Sequence, residues 1–388
     1  MANEKQQNGQ KPPRKKRRFL RRLGGLLLLA AVVLLVSVLT AMESGGHFAA
    51  LRRWLMYGES GAADNRYSYA VDQNHRFALF GDKLLVVSLN EILLLQDDGT
   101  ALVSRQVQLT APSISVGSEQ AVICDVGGSR LYILDEIGTV REMTASGSAC
   151  YYAARLNSKD YLAVTEQKSG YKAAVTVYNA EGEKLFSFDS HDRYISEALV
   201  SEDCRSLMAV SLGSVDGVFA TTLLQYDLTR GECTGEYPIR DALALETVCK
   251  GEIMVSLCDT KLSAVSPKDG TLLDYAYGNL FLHDYTLTGG DFSALLLGRY
   301  QAGNICQLIT FSDEGARLAA IEVTEEVLDL SAAGEYLAVL YSDALVIYTK
   351  DLHEHARLET TAHAGRVIME TGGTALLIAG TEAWRYLP

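Results

Sequence analysis

At 388 residues the chain has room for one large domain or two ordinary ones with ample core. Its 48% hydrophobic and 21% charged content excludes an intrinsically disordered protein. The net charge of −13 is unevenly spread: residues 1–22 hold nine Lys/Arg against Glu4 alone, a balance of +8, so the remainder carries −21. An acidic body of that size repels phosphate backbones, which excludes a nucleic-acid partner.

The basic tail, residues 1–22, runs into LGGLLLLAAVVLLVSVLTAM, residues 23–42, a charge-free stretch about as long as a bilayer core is thick. A cleaved signal peptide and a buried helix are the competing readings. Against the first, the apolar run exceeds a usual signal core, and Leu39-Thr40-Ala41 offers a large residue where cleavage needs a small one. No cysteine precedes Cys124, which excludes a lipoprotein signal. The expectation is an uncleaved transmembrane anchor. Basic residues before the span outnumber Arg52 and Arg53 after it, so the N-terminus is expected in the cytoplasm and the rest outside. Residues 46–57 read either as a short interfacial helix or as a juxtamembrane linker, and 58–65 as a flexible tether, making 43–65 a connecting segment.

From residue 66 onward, short β-branched and aromatic runs alternate with turn formers. One phrase recurs: strand, polar turn closed by glycine, strand. It appears as LLLQDDGTALV (Gly99), LYILDEIGTVREM (Gly138), VYNAEGEKLF (Gly182), LQYDLTRGECTGEY (Gly231), SAVSPKDGTLLDY (Gly270) and LITFSDEGARLAAI (Gly315). The glycines are spaced by 39, 44, 49, 39 and 45 residues, and a seventh copy at 345–358, LVIYTKDLHEHARL, lacks the glycine. Each period holds a second, earlier hairpin, with breaks at Gly81-Asp82, Lys250-Gly251, Gly289-Gly290, Ala333-Gly334 and Gly372-Gly373.

Four antiparallel strands in about forty residues make one blade of a β-propeller. The units fall near 75–109, 113–144, 148–188, 194–238, 242–276, 280–323 and 326–360, and the last piece, from Arg366, supplies three strands. The isolated strand at 66–71 can complete it and remove the exposed edge. The fold class is therefore all-β: a single propeller, residues 66–388, of eight four-stranded blades, or seven if two weak units merge, preceded by one N-terminal transmembrane helix. Two consecutive sandwiches are disfavoured, because the period continues without a linker.

The turn phrases resemble those of pyrroloquinoline-quinone-like and WD40-like propellers, in rhythm and not in diagnostic residues. With the basic tail and single span, the chain is similar to uncharacterised membrane-anchored propeller proteins of Gram-positive anaerobes, grouped under a domain of unknown function. That resemblance implies fold and topology only. The eight-bladed propeller lipoprotein of outer-membrane assembly is a distant architectural analogue and implies a scaffold, although the lipidated cysteine is missing. Trp-Asp pairs do not occur, the single Gly-His pair, Gly46-His47, precedes the repeats, and Trp54 and Trp384 are the only tryptophans. A quinoprotein's stacked tryptophans therefore cannot be supplied, and Ser312-Asp313 does not match a sialidase Asp box.

Catalytic signatures are sparse. There is no phosphate-binding loop, dinucleotide fingerprint, H-E-x-x-H or G-x-S-x-G. His353 and His355, followed by His363, share a strand face and could meet a metal, but they fall where a solvated turn is expected. The acidic pairs Asp97-Asp98, Glu202-Asp203 and Glu325-Glu326 read as turn residues. Tyr151, Tyr152, Tyr275, Tyr277 and Tyr300 lie near strand ends, either packing between blades or presenting a binding face. The seven scattered cysteines read as small buried hydrophobes; a turn at Lys250-Gly251 would set Cys249 opposite residue 252 and Cys258 opposite about 243. No catalytic, cofactor-binding or metal residue is assigned and no cofactor is expected. The expected function is a membrane-tethered extracytoplasmic scaffold with an envelope protein partner. A propeller enzyme with a central-channel site, needing acids or histidines from several blades at one mouth, and a small-ligand sensor are the alternatives.

Overall fold

The computed structural model describes residues 62–70 and 74–388; the basic tail, the expected span at 23–42 and the segment up to residue 61 lie outside the described residues. The propeller is an eight-bladed ring. Seven blades are consecutive four-stranded antiparallel meanders: blade 1 at 76–106, blade 2 at 112–144, blade 3 at 150–190, blade 4 at 194–240, blade 5 at 244–276, blade 6 at 281–323 and blade 7 at 327–358. Blade 8 takes three strands from 366–386 and its fourth from the start of the described chain, Ala62–Ser68. The eight-blade count holds and the seven-blade alternative falls. The closing strand begins at Ala62, four residues earlier than expected, because Ala62 pairs with Tyr386 across a register irregularity that ends at Arg66.

Within a blade the strands are designated a to d from the axis outward. The a strands of successive blades pack against one another around the axis. The b and c strands are sandwiched between neighbouring blades, so they are apolar on both faces: Phe292–Gly298 is buried throughout. The d strands lie at the rim, and Thr271–Ala276 is almost wholly exposed. Eight apolar clusters fill the eight gaps between blades. The last joins Tyr67, Leu84, Val86, Leu376 and Ile378, from blades 8 and 1, and closes the ring.

The topology gives the ring two unlike faces. The a–b and c–d turns share one, the turn face; the b–c turns and the links between blades share the other, the connector face. The recurring glycine phrase is the c–d turn. In blade 3, Val177 pairs with Phe186, and Gly182, at φ 83°, donates its N–H to Asn179 O at 2.9 Å. A left-handed residue closes this turn, which is why glycine recurs. In blade 7 Leu352 occupies the same place at φ 58°, bonding Thr349 O at 2.9 Å. Its side chain is buried in the cluster between blades 6 and 7, and that contact holds the strained conformation.

All seven cysteines are unpaired. The turn in blade 5 lies one residue later than expected, at Gly251-Glu252, so Cys249 faces Met254 and Cys258 faces Ala244.

Candidate functional site

The turn face is built from repeated tight turns. The connector face is where the repeat breaks, most strongly in blade 4. There the b strand, Ser206–Val215, and the c strand, Val218–Asp227, are ten residues each. Their hairpin turns at Asp216 and Gly217, φ 55° and 82°, the pair of left-handed residues a type I′ turn demands. Pairing with the a strand ends at Tyr194–Leu212 and pairing with the d strand at Ala220–Arg240. A two-stranded ribbon of residues 213–219 therefore projects beyond both neighbours, with Phe219 70% exposed.

Beside the ribbon lies an open cleft of about 1290 Å³ between blades 3 and 4, lined by Tyr152, Lys172, Tyr194, Leu212, Phe219 and Leu243 among others. Lys172 Nζ sits 4.9 Å from the centroid of the Tyr194 ring and donates to Asp192 O at 2.8 Å. Arg193 bonds both carboxylate oxygens of Glu236 at 3.1 Å. Arg240 lies 3.6 Å from Asp216 at the ribbon tip. Burial pushes the Tyr152 hydroxyl above its ordinary range, with Cys150 and Tyr194 adding to the shift. The cleft thus combines exposed aromatic faces with three cations and the carboxylates of Asp192 and Glu236, which suits binding.

At the axis a second regularity appears. The a strands of blades 3 to 7 each carry a bulge near the connector face. In blades 4 to 7 the residue after it is acidic: Glu197, Glu246, Asp284 and Asp329. Each reaches to the next blade. Glu197 accepts the Thr247 N–H at 3.1 Å, Glu246 the Tyr285 hydroxyl at 2.9 Å and Asp329 the Val367 N–H at 2.7 Å. Asp284 accepts from the Leu330 backbone N–H. Arg155 of blade 3 approaches Glu197 at 3.5 Å and bonds Thr247 O at 3.2 Å, spanning two blade boundaries. Burial raises the Glu197, Asp284 and Asp329 carboxyls, the last to about 6. These acids converge as the enzyme reading required, but each is occupied as a clasp between neighbouring inner strands. Among the described residues no three His, Cys, Asp or Glu side chains are placed to hold a metal.

The residues singled out from sequence scatter accordingly. His353 lies in the c–d turn as expected, where its carbonyl accepts the Thr349 N–H, while Glu354 and His355 open the blade 7 d strand and the His355 ring packs tilted against Tyr336 at 4.7 Å. His353 and His363 are exposed. Asp98 and Asp203 cap turns through the N–H groups of Thr100 and Arg205, while Asp97 pairs with Arg385. Tyr151 and Tyr277 are buried between blades, and Tyr275 packs on Phe311. Tyr152 lines the cleft, and Tyr300 stands 65% exposed on the connector face. The ribbon and the acid clasps were missed. The signals were present: the 49-residue interval between Gly182 and Gly231, the longest of the series, and Asp216-Gly217 between alternating runs.

An eight-bladed β-propeller with an asymmetric connector face is the class that the fold and this geometry define. Residues 62–248 match a family of unknown function, DUF5711, a match that covers a little under half of the chain. Among solved structures, the chain is similar to BamB from Moraxella catarrhalis at 14% identity and a TM-score of 0.52, covering 83% of this chain and 98% of that one. It is similar also to the dihydro-heme d1 dehydrogenase NirN at 13% identity and a TM-score of 0.51, covering 75% and 67%. At such identities these likenesses concern the fold. No curated protein matches the sequence significantly.

Proposed function

We propose that this protein is a membrane-tethered, extracytoplasmic propeller that acts as a protein-interaction scaffold at the cell envelope. Residues 23–42 are the single-pass anchor, residues 1–22 the cytoplasmic tail and residues 43–61 the connection to the ring. The observation that carries the binding role is the blade 4 cleft: a projecting ribbon with exposed Phe219 beside the exposed Tyr194 ring. Aromatic anchors in a concave patch with polar rims are what protein interfaces concentrate. The placement outside the cytoplasm rests on the basic flank of the apolar run.

The test is photocrosslinking in intact cells from a reactive residue placed at Phe219, with a second at Ile137, 81% exposed on the turn face, for comparison. A discrete envelope protein captured from position 219 supports the scaffold; no captured protein from either position removes it. Protease added outside intact cells is expected to degrade the propeller, and full protection would overturn the placement.

A further inference from the structure

The ribbon contains a glycine that its own fold does not require. Gly213 lies inside the blade 4 b strand, has no left-handed φ, and a Cβ built on it would meet nothing within 4 Å. Neither backbone conformation nor packing excludes a side chain there, and glycine in a strand interior weakens the strand. The remaining physical use of such a position is to let another backbone approach closely. The edge beside it is open: strand pairing on the a side stops at Leu212, so residues 213–215 have no strand neighbour there among the described residues. Those main-chain groups can extend the sheet by one added strand.

Charge narrows what that strand can be. Residues 62–388 contain 24 Lys/Arg and 45 Asp/Glu, a net of −21. Against that field the cleft lining holds Lys172, Arg193 and Arg240 beside only Asp192 and Glu236, a local balance of +1. The two arginines have carboxylate partners, Glu236 and Asp216. Among the described residues no carboxylate pairs with Lys172, whose ammonium meets only the Tyr194 ring and Asp192 O. An acidic segment is repelled by most of the surface, and here Lys172 offers one of its carboxylates a cation that no carboxylate of the ring holds, so charge favours this place. The segment 43–61 does not answer this description: it balances Arg52 and Arg53 with Glu43 and Glu59. The occupant is a separate protein.

We infer that the blade 4 cleft takes an extended acidic segment of a partner protein. Its backbone runs against Gly213, an apolar side chain packs between Tyr194 and Phe219, and a carboxylate meets Lys172. This rests on the scaffold reading and names the partner's chemistry.

The experiment selects phage-displayed random dodecapeptides on the full chain in detergent micelles, then measures synthetic peptides by fluorescence polarisation. The expected result is enrichment of sequences with acidic residues and at least one aromatic. Their affinity should fall tenfold or more in Lys172→Glu and in Gly213→Val, stay unchanged in Ile137→Ser, and weaken with salt. Thermal melting of each variant separates lost binding from lost fold, and Phe219→Ser serves where Gly213→Val does not fold. Basic or neutral selected peptides, no enrichment, or binding indifferent to Lys172→Glu would each overturn the inference. A partner crosslinked only from the turn face would overturn it too, while leaving the scaffold standing.

Discussion

Arg385 of blade 8 pairs across the seam of the ring with Asp97 in the c–d turn of blade 1. It is 3% exposed, bonds Glu370 at 2.8 Å and the Asp82 carbonyl at 3.0 Å, and lies 5.7 Å from the centroid of the Tyr67 ring. One side chain therefore ties the closing strand, the last blade and the first. Removing it leaves two carboxylates without their cation in a half-buried seam. Arg385→Ala is expected to cost on the order of 3 kcal/mol in urea unfolding. Arg66→Ala, which breaks the exposed 3.2 Å pair with Glu382 on the same blade, should cost less than about 1 kcal/mol. Equal losses would show that burial does not set the strength of the seam.

Strand Ala62–Ser68 supplies the outer edge of blade 8, and Tyr67 is fully buried in the closing cluster. A chain starting at residue 62 is expected to give one cooperative thermal transition. One starting at residue 75 should lose several kcal/mol and expose an open edge that aggregates. Identical melting of the two would mean that the ring closes without its N-terminal strand.

Leu352 holds a left-handed conformation that glycine holds in six other c–d turns. Leu352→Gly relieves about 1 kcal/mol of backbone strain but empties a buried site in the cluster between blades 6 and 7, which costs about 2–5 kcal/mol. The net expectation is a destabilisation of about 1–4 kcal/mol. Gly182→Ala, at φ 83° with the Arg141 guanidinium 2.9 Å from the new Cβ, should destabilise by about 1 kcal/mol or more. A stabilising Leu352→Gly would mean that strain outweighs burial there.

The Asp329 carboxyl is pushed from 3.8 to about 6, first by burial and then by the neighbouring Asp284 charge, against the Val367 N–H and Arg366. The folded state therefore holds a proton that the unfolded state has released, and stability falls as pH rises through the window from about 4 to about 6. Asp329→Asn keeps an oxygen for the Val367 N–H and removes the charge. The variant should be more stable than the parent by about 1–3 kcal/mol above pH 7, and no more stable near pH 4. A parent and variant whose difference is constant from pH 4 to 8 would refute this assignment.

Phe219 projects from the ribbon, and a serine there removes exposed apolar surface only. Phe219→Ser is expected to leave the melting temperature unchanged while weakening the selected acidic peptides tenfold or more in fluorescence polarisation. A marked loss of stability would show that the ribbon tip is structural.

Local chemistry was sufficient to determine the ring. Apolar runs short enough to be strands, broken by residues that tolerate left-handed turns, specify four-stranded units. Their period specifies blades, and the three-strand remainder at Arg366 points to closure by the N-terminal strand. Each of these depends on neighbours within about forty residues. The apolar run at 23–42 is legible in the same way, since it depends on composition alone. What the tertiary structure decided lies between blades. Nothing along the chain marks Glu197, Glu246, Asp284 and Asp329; the bulges align them at the axis, each within reach of the next blade. Lys172 and Tyr194 come together only because blades 3 and 4 are adjacent, and Gly213 has meaning only because the strand beside it stops at Leu212. A periodic sequence encodes what every blade shares. The cleft arises where one blade outgrows its neighbours, and distances between separate strands, not patterns along one, determine what it can hold.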